Sequence, residues 1–259
     1  FRSRAIAANN ILNSLFMVAS AVFAAVLAGM GVSIPSVLLV AALLNLLVAA
    51  YIYSLLPEFM MRFLVWIATH TLYRIRHEGL EHIPEEGPCV LVCNHVSFMD
   101  ALILAGAVRR PVRFVMDHNI FKVPLLNFVF RTARAIPIAP AKEDPQAKAR
   151  AFDAVAAALA EGEVVCIFPE GKITYDGQIN PFKSGIEEIV ARTPVPVVPM
   201  ALCGMWGSFF SRRYGPAMLS WPRRAWSRIA LKAAAPVPAA QVSAAGLQQA
   251  VSQLRGNWQ

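Results

Sequence analysis

Apolar and polar positions divide this chain into two stretches of different character. From Ala5 to Pro57 there is no Asp, Glu, Lys or Arg. Two apolar runs fill that stretch, from about Ile6 to Ala28 and from about Ser36 to Leu56, with Gly29, Gly31 and Pro35 in the gap. A membrane span needs roughly 20 apolar residues, so the pattern predicts two spans joined by a tight turn. A buried helical hairpin of a large soluble protein is the alternative, but charge-free stretches of this length are rare in soluble domains. A signal peptide fits poorly, because the apolar region is too long and a second one follows at once. The chain does not begin with Met, which reads as a fragment or a processed chain. From Glu58 to Tyr73 the apolar residues Phe59, Met60, Phe63, Leu64 and Ile67 recur at helical spacing. That helix is expected either in the membrane interface or packed on a soluble core.

Beyond it the periodicity changes, and short apolar runs alternate with helical patterns. Strands are predicted at Tyr73–His77, Cys89–Cys93, Arg113–Met116, Ala135–Ile138, Val164–Phe168 and, despite Pro196, Val195–Met200. Helices are predicted at Ala101–Val108, Pro124–Arg131 and Gly185–Ala191. A further helix starts after Asp144-Pro145, a capping side chain followed by Pro at the first turn, and stops at Gly162. Phe152, Val155 and Leu159 give it one apolar stripe. Such alternation predicts an α/β fold with a largely parallel mixed sheet and flanking helices, preceded by a transmembrane helical hairpin. The expected division is 1–57 for the two transmembrane helices and 58–259 for a single cytoplasmic domain. The Ala-rich segment from Ala233 to Ala245 is weakly specified.

Composition sharpens this in three places. Of the 259 residues 57% are hydrophobic and only 15% charged, an excess concentrated in the first 57 positions. Arg2 and Arg4 precede the first run, and Arg62, Arg74 and Arg76 follow the second, so both ends of the hairpin are expected on the cytoplasmic side. Cys89, Cys93, Cys166 and Cys203 lie in apolar surroundings without zinc-type spacing, which reads as buried thiols in a reducing compartment. The net charge of +8 clusters late, at Arg212, Arg213, Arg223, Arg224, Arg228 and Lys232. That patch suits anionic lipid headgroups, nucleotide phosphates or an acidic carrier protein, or it is a solvated basic face. Nucleic acid fits poorly beside a membrane hairpin.

Chemistry is suggested by two segments that end predicted strands. The first reads Asn94-His95-Val96-Ser97-Phe98-Met99-Asp100. On an unbroken helix His95 and Asp100 would point about 140° apart. They can meet only if the chain turns between them, with Asn94 or Ser97 as a cap. The carboxylate would then fix one imidazole nitrogen and leave the other to take a proton from a hydroxyl. Structural capping at a strand-to-helix turn explains the same residues. The second segment reads Phe168-Pro169-Glu170-Gly171-Lys172. Gly171 would let a backbone approach a ligand, Glu170 would orient a polyol and Lys172 would meet a phosphate; a plain turn is the alternative.

Together these segments resemble the glycerolipid acyltransferase family, which includes 1-acyl-glycerol-3-phosphate and lysophospholipid acyltransferases. Val195-Pro196-Val197-Val198-Pro199 is similar to a later apolar block of that family, and the match runs roughly from Leu72 to Phe210. The resemblance implies an O-acyltransferase with His95 as base and Asp100 as its partner. Asn94, Phe168, Pro169, Glu170, Gly171 and Lys172 would be on the substrate side. No metal or cofactor is implied; acyl-CoA or acyl carrier protein is the donor. Two departures bear on the acceptor. Ala135-Ile136-Pro137-Ile138-Ala139-Pro140 lacks an arginine that many members carry, and Lys172-Ile173-Thr174 stands where many have Thr-Arg-Ser. The pattern looks more like domains that reacylate 2-acyl lysophospholipids such as lysophosphatidylethanolamine, some of them fused behind a major-facilitator transporter. Ala7 to Asn13 and the two spans look like the last helices of such a transporter, which implies a bacterial inner membrane. A 1-acyl-glycerol-3-phosphate acyltransferase and a non-catalytic membrane scaffold remain the alternatives.

Overall fold

The computed structural model describes residues 2–55, 57–122, 124–140, 142–218 and 226–259. It divides into two compact units, Phe1–Pro57 and Glu58–Gln259. In the first unit, helices α1 (Arg2–Gly29) and α2 (Ile34–Leu55) are joined by a turn in which Gly31 takes a φ of 79°. Their apolar side chains, such as Phe16, Leu39 and Leu47, are exposed to the surroundings. Both helices are long and apolar enough to cross a membrane, by length and composition.

The second unit opens with α3 (Pro57–Leu72), which runs into strand β1 (Tyr73–Glu78). Thr69 of α3 is buried, whereas Phe63, Leu64, Trp66 and Ile67 are exposed. This helix therefore packs on one side and leaves an apolar face on the other. The remaining strands are β2 (Cys89–Cys93), β3 (Val112–Asp117), β4 (Ile136–Ile138), β5 (Val164–Ile167), β6 (Val197–Cys203) and β7 (Ser227–Ala233). They form one sheet in the order β1-β7-β6-β2-β5-β3-β4. All neighbours pair parallel except β6 and β7, which are antiparallel.

Helices cover both faces, as a sheet of continuous apolar runs requires. Cys89, Leu91 and Cys93 of β2 pack with Ile103 and Leu104 of α4 (Asp100–Ala107). Val90 and Val92, pointing the opposite way, pack with α6 (Pro145–Ala160), α7 (Gly185–Arg192) and α8 (Ala244–Arg255). The predicted stripe of Phe152, Val155 and Leu159 is buried, each side chain stabilising the fold by roughly 1.5–3 kcal/mol. Asp144 caps α6 by accepting from the Ala147 N–H at 2.8 Å. Between α4 and α6 lies the short helix α5 (Pro124–Thr132).

Two elements differ from the sequence reading. β7 and α8 occupy the region that looked weakly specified or was given no element. β7 reads Ser-Arg-Ile-Ala-Leu-Lys-Ala and carries its own apolar side chains, but it is fixed by pairing with β1, 154 positions earlier. The first unit's basic flank at Arg2 and Arg4 has no described side chains, and Arg223 and Arg224 lie outside the described residues.

Candidate active site

β2 and β5 are adjacent parallel strands at the centre of the sheet, with Val92 opposite Ile167. Their carboxyl ends therefore deliver Asn94-His95 and Phe168-Pro169-Glu170 to the same edge. That edge is where open α/β sheets place ligands. The site is built from the two loops that leave these strands.

In the first loop the chain turns at Ser97 and enters α4 at Asp100, so the two residues meet as the broken-helix argument required. His95 Nδ1 lies 2.9 Å from Asp100 Oδ2. Asp100 is fully buried. Its Oδ2 also accepts from the backbone N–H of Val96 at 2.6 Å and of Ser97 at 2.9 Å, and its Oδ1 accepts from Ser97 Oγ at 2.5 Å. The carboxylate thus caps the turn and holds the ring at once. An ionised Asp100 offers only acceptors, so a neutral imidazole here carries its proton on Nδ1 and its lone pair on Nε2. Among the described residues Nε2 has no partner, and the side chain is 22% exposed. Phe168 stacks on the ring with centroids 4.3 Å apart and planes 18° from parallel, which holds one face of the imidazole.

The second loop grips the first. Glu170 is 2% exposed. Its Oε1 accepts from the His95 backbone N–H at 2.7 Å, and its Oε2 accepts from both the backbone N–H and the side-chain Nδ2 of Asn180 at 2.7 Å. Thr174 N–H donates to the His95 carbonyl at 3.0 Å. Burial pushes the Glu170 carboxyl above its ordinary value, opposed by those donors.

These bonds correct two expectations. Glu170 was expected to place the acceptor, but both oxygens are taken by protein donors, so it positions the His95 backbone instead. Asn94 was expected on the substrate side, but it is fully buried. Its Oδ1 accepts from Leu202 N–H at 2.8 Å and its Nδ2 donates to Leu202 O at 3.0 Å, tying the end of β2 to β6. Of the others, Pro169 is buried and its carbonyl accepts from Lys183 N–H at 3.0 Å. Gly171 closes the turn by donating to Phe168 O at 2.9 Å with a φ of 66°, and a Cβ there would run into the Lys183 ammonium. Lys172 is exposed on the rim. Asn180 and Thr174 were missed; an Asn-Pro pair carries no signal that it meets Glu170, and a lone Thr none that its N–H meets the distant His95 carbonyl.

All four cysteines are free and buried, and burial pushes the Cys93 thiol well above its ordinary value. The block from Ala135 to Pro140 does not gain an arginine from next door, since Arg134 pairs with Glu163 at 2.9 Å. Beside α4 lies a small apolar pocket. Residues of α3, α4, β3 and α5 line it, among them Val65, Leu102, Ala105, Phe114 and Phe130.

Glu170→Ala is expected to lower the thermal unfolding midpoint of the protein. The change strands the His95 and Asn180 donors, at about 1–3 kcal/mol for each buried group left unsatisfied. If the midpoint stayed put while only the acceptor KM rose, Glu170 would be touching substrate after all.

An α/β domain carrying a histidine fixed by a buried, capping aspartate at the ends of two central parallel strands is the class this geometry defines. The chain belongs to the acyltransferase family, whose model, described as Acyltransferase, matches residues 74–203 and so includes His95, Asp100 and Glu170. It is 32% identical over 139 residues to a chloroplastic 1-acyl-sn-glycerol-3-phosphate acyltransferase of Brassica napus, covering 53% of this chain and 40% of that one. A 1-acyl-sn-glycerol-3-phosphate acyltransferase of Borreliella burgdorferi is 28% identical over 131 residues, 48% of this chain and 49% of its own length. The chain thus spans less than half the length of these two relatives. The crystal structure of the 1-acyl-sn-glycerophosphate acyltransferase PlsC from Thermotoga maritima shares the fold, with a TM-score of 0.58, 23% identity and 71% of each chain covered.

Proposed function

We propose that this protein transfers a fatty acyl group from a thioester to the free glycerol hydroxyl of a lysoglycerolipid. The observation that carries the reading is the His95–Asp100 pair, with Nδ1 held at 2.9 Å and Nε2 left without a partner among the described residues. Nε2 takes the hydroxyl proton as the oxygen attacks the thioester carbonyl. Asp100 stabilises the imidazolium that forms. The new C–O bond replaces the C–S bond, and the proton passes from His95 to the departing thiolate. A thioester is already activated, so the residues need no covalent acyl-enzyme. Acyl-CoA and acyl carrier protein both supply such a thioester. The small apolar pocket beside α4 includes Ala101, the residue after Asp100, and so offers an apolar surface next to the pair for the start of the acyl chain.

For the acceptor, the names of the relatives support 1-acyl-glycerol 3-phosphate, which would give phosphatidic acid. A second reading is a lysophospholipid with a substituted headgroup, such as 2-acyl-glycerophosphoethanolamine, in phospholipid repair. It is favoured by the missing arginine at 135–140 and by Lys172-Ile173-Thr174. α1 and α2 would place the protein in a membrane with its second unit on the cytoplasmic side, as the end of a fused transporter or as an anchor. Purified protein should be assayed against both acceptors with both donor types. Faster turnover of 1-acyl-glycerol 3-phosphate supports the first reading, and faster turnover of lysophosphatidylethanolamine supports the second. No transfer to any lysolipid would end both.

A further inference from the structure

The structure holds one more cation against the two loops that carry His95. Ser211 forms an antiparallel bridge with Ser97, and Phe98 N–H donates to Phe210 O at 3.3 Å. Ser211 Oγ accepts from Gly207 N–H at 3.0 Å and donates to Ser208 O at 2.9 Å. The segment is therefore fixed on the His95–Asp100 turn, and Arg212 is its next residue. The Arg212 guanidinium lies 4.6 Å from the Tyr175 ring centre and 5.8 Å from that of Phe98. Phe98 belongs to the first active-site loop. Tyr175 follows Thr174, whose N–H binds the His95 carbonyl.

Arg212 differs from the arginines that form ion pairs. Arg76, Arg113, Arg134, Arg150 and Arg192 each meet a carboxylate. Among the described residues no carboxylate lies within 4.0 Å of Arg212. Its charge is held by aromatic faces, which leave the in-plane N–H edge of the guanidinium for another acceptor. That edge matches the paired oxygens of a phosphate.

We propose that Arg212 receives the phosphate of the lysolipid acceptor. The inference rests on the acyl-transfer reading and adds the residue that recognises the acceptor. Phe98 and Tyr175 orient the guanidinium, so the phosphate is bound from the rim while the neighbouring glycerol hydroxyl reaches His95.

The test is lipid binding and acyl transfer by the full chain in nanodiscs. Binding of 1-acyl-glycerol 3-phosphate is compared with binding of monoacylglycerol of the same chain length, for wild type, Arg212→Ala, Arg212→Lys and Tyr175→Ala. Wild type should bind the phosphorylated lipid more tightly. Arg212→Ala should weaken that binding, and raise the acceptor KM, by about 10- to 100-fold, the loss of a charged hydrogen-bonded partner. Monoacylglycerol binding and the donor KM should not move. Arg212→Lys should recover part of the loss, since it keeps the charge without the fork. Tyr175→Ala should cost a few-fold. A binding preference that survives Arg212→Ala overturns the proposal, as does a rise in donor KM alone, or a larger effect from Lys172→Ala. Loss of the preference in Arg212→Ala, in a protein that transfers no acyl group, would support the phosphate site and overturn the acyl-transfer reading instead.

Discussion

Replacing His95 with alanine is expected to lower the acyl-transfer rate by about 10² to 10⁴, the contribution of a positioned general base. The protein should stay folded. The bonds that fix this loop run through the backbone N–H and carbonyl of His95, to Glu170 and Thr174, and alanine keeps both. Asp100 retains its bonds from Val96 and Ser97. The ring sits at a partly exposed rim, so its removal leaves a space that water can enter. Steady-state rates and a thermal melt of the same preparation check both halves. A folded His95→Ala protein with the wild-type rate would remove His95 from the chemistry.

Substitution of Asp100 is expected to separate two jobs held by one carboxylate. Asparagine can keep its amide oxygen at the Oδ2 position and go on accepting from His95, Val96 and Ser97, so the turn survives. What is lost is the negative charge facing the imidazolium, and the rate should fall by about two to four orders of magnitude. Alanine at the same position should lower the rate and also the melting midpoint. It leaves the Val96 and Ser97 donors buried without acceptors, at about 1–3 kcal/mol each. If Asp100→Asn and Asp100→Ala melted alike, the capping role would be wrong. If Asp100→Asn kept its rate, the electrostatic one would be.

Much of the site was legible because strand ends are marked by local pattern. The apolar run Cys89–Cys93 ends at the polar Asn94, and the run Val164–Phe168 ends at Pro169. Parallel pairing of those two strands then brings the loops together. The roles of Asn94 and Glu170 were not legible. Both look like polar residues offered to a ligand, yet each is consumed by a partner distant in sequence: Leu202 for Asn94, and His95 for Glu170, whose other oxygen is taken by the nearer Asn180. The same limit hid β7, whose place depends on β1 and β6. Arg212 was visible only as one of a basic cluster; its setting between Phe98 and Tyr175 needs three loops folded at once.

On the proposed function, His95 activates a lysolipid hydroxyl against a thioester. The direct measurement incubates the purified full chain with an acyl thioester and a lysolipid, and follows free thiol and diacyl product together. Thiol release should require the lysolipid, one diacyl product should form for each thiol released, and His95→Ala should lose both signals. Thiol release without lysolipid, yielding free fatty acid in place of diacyl product, would contradict that function.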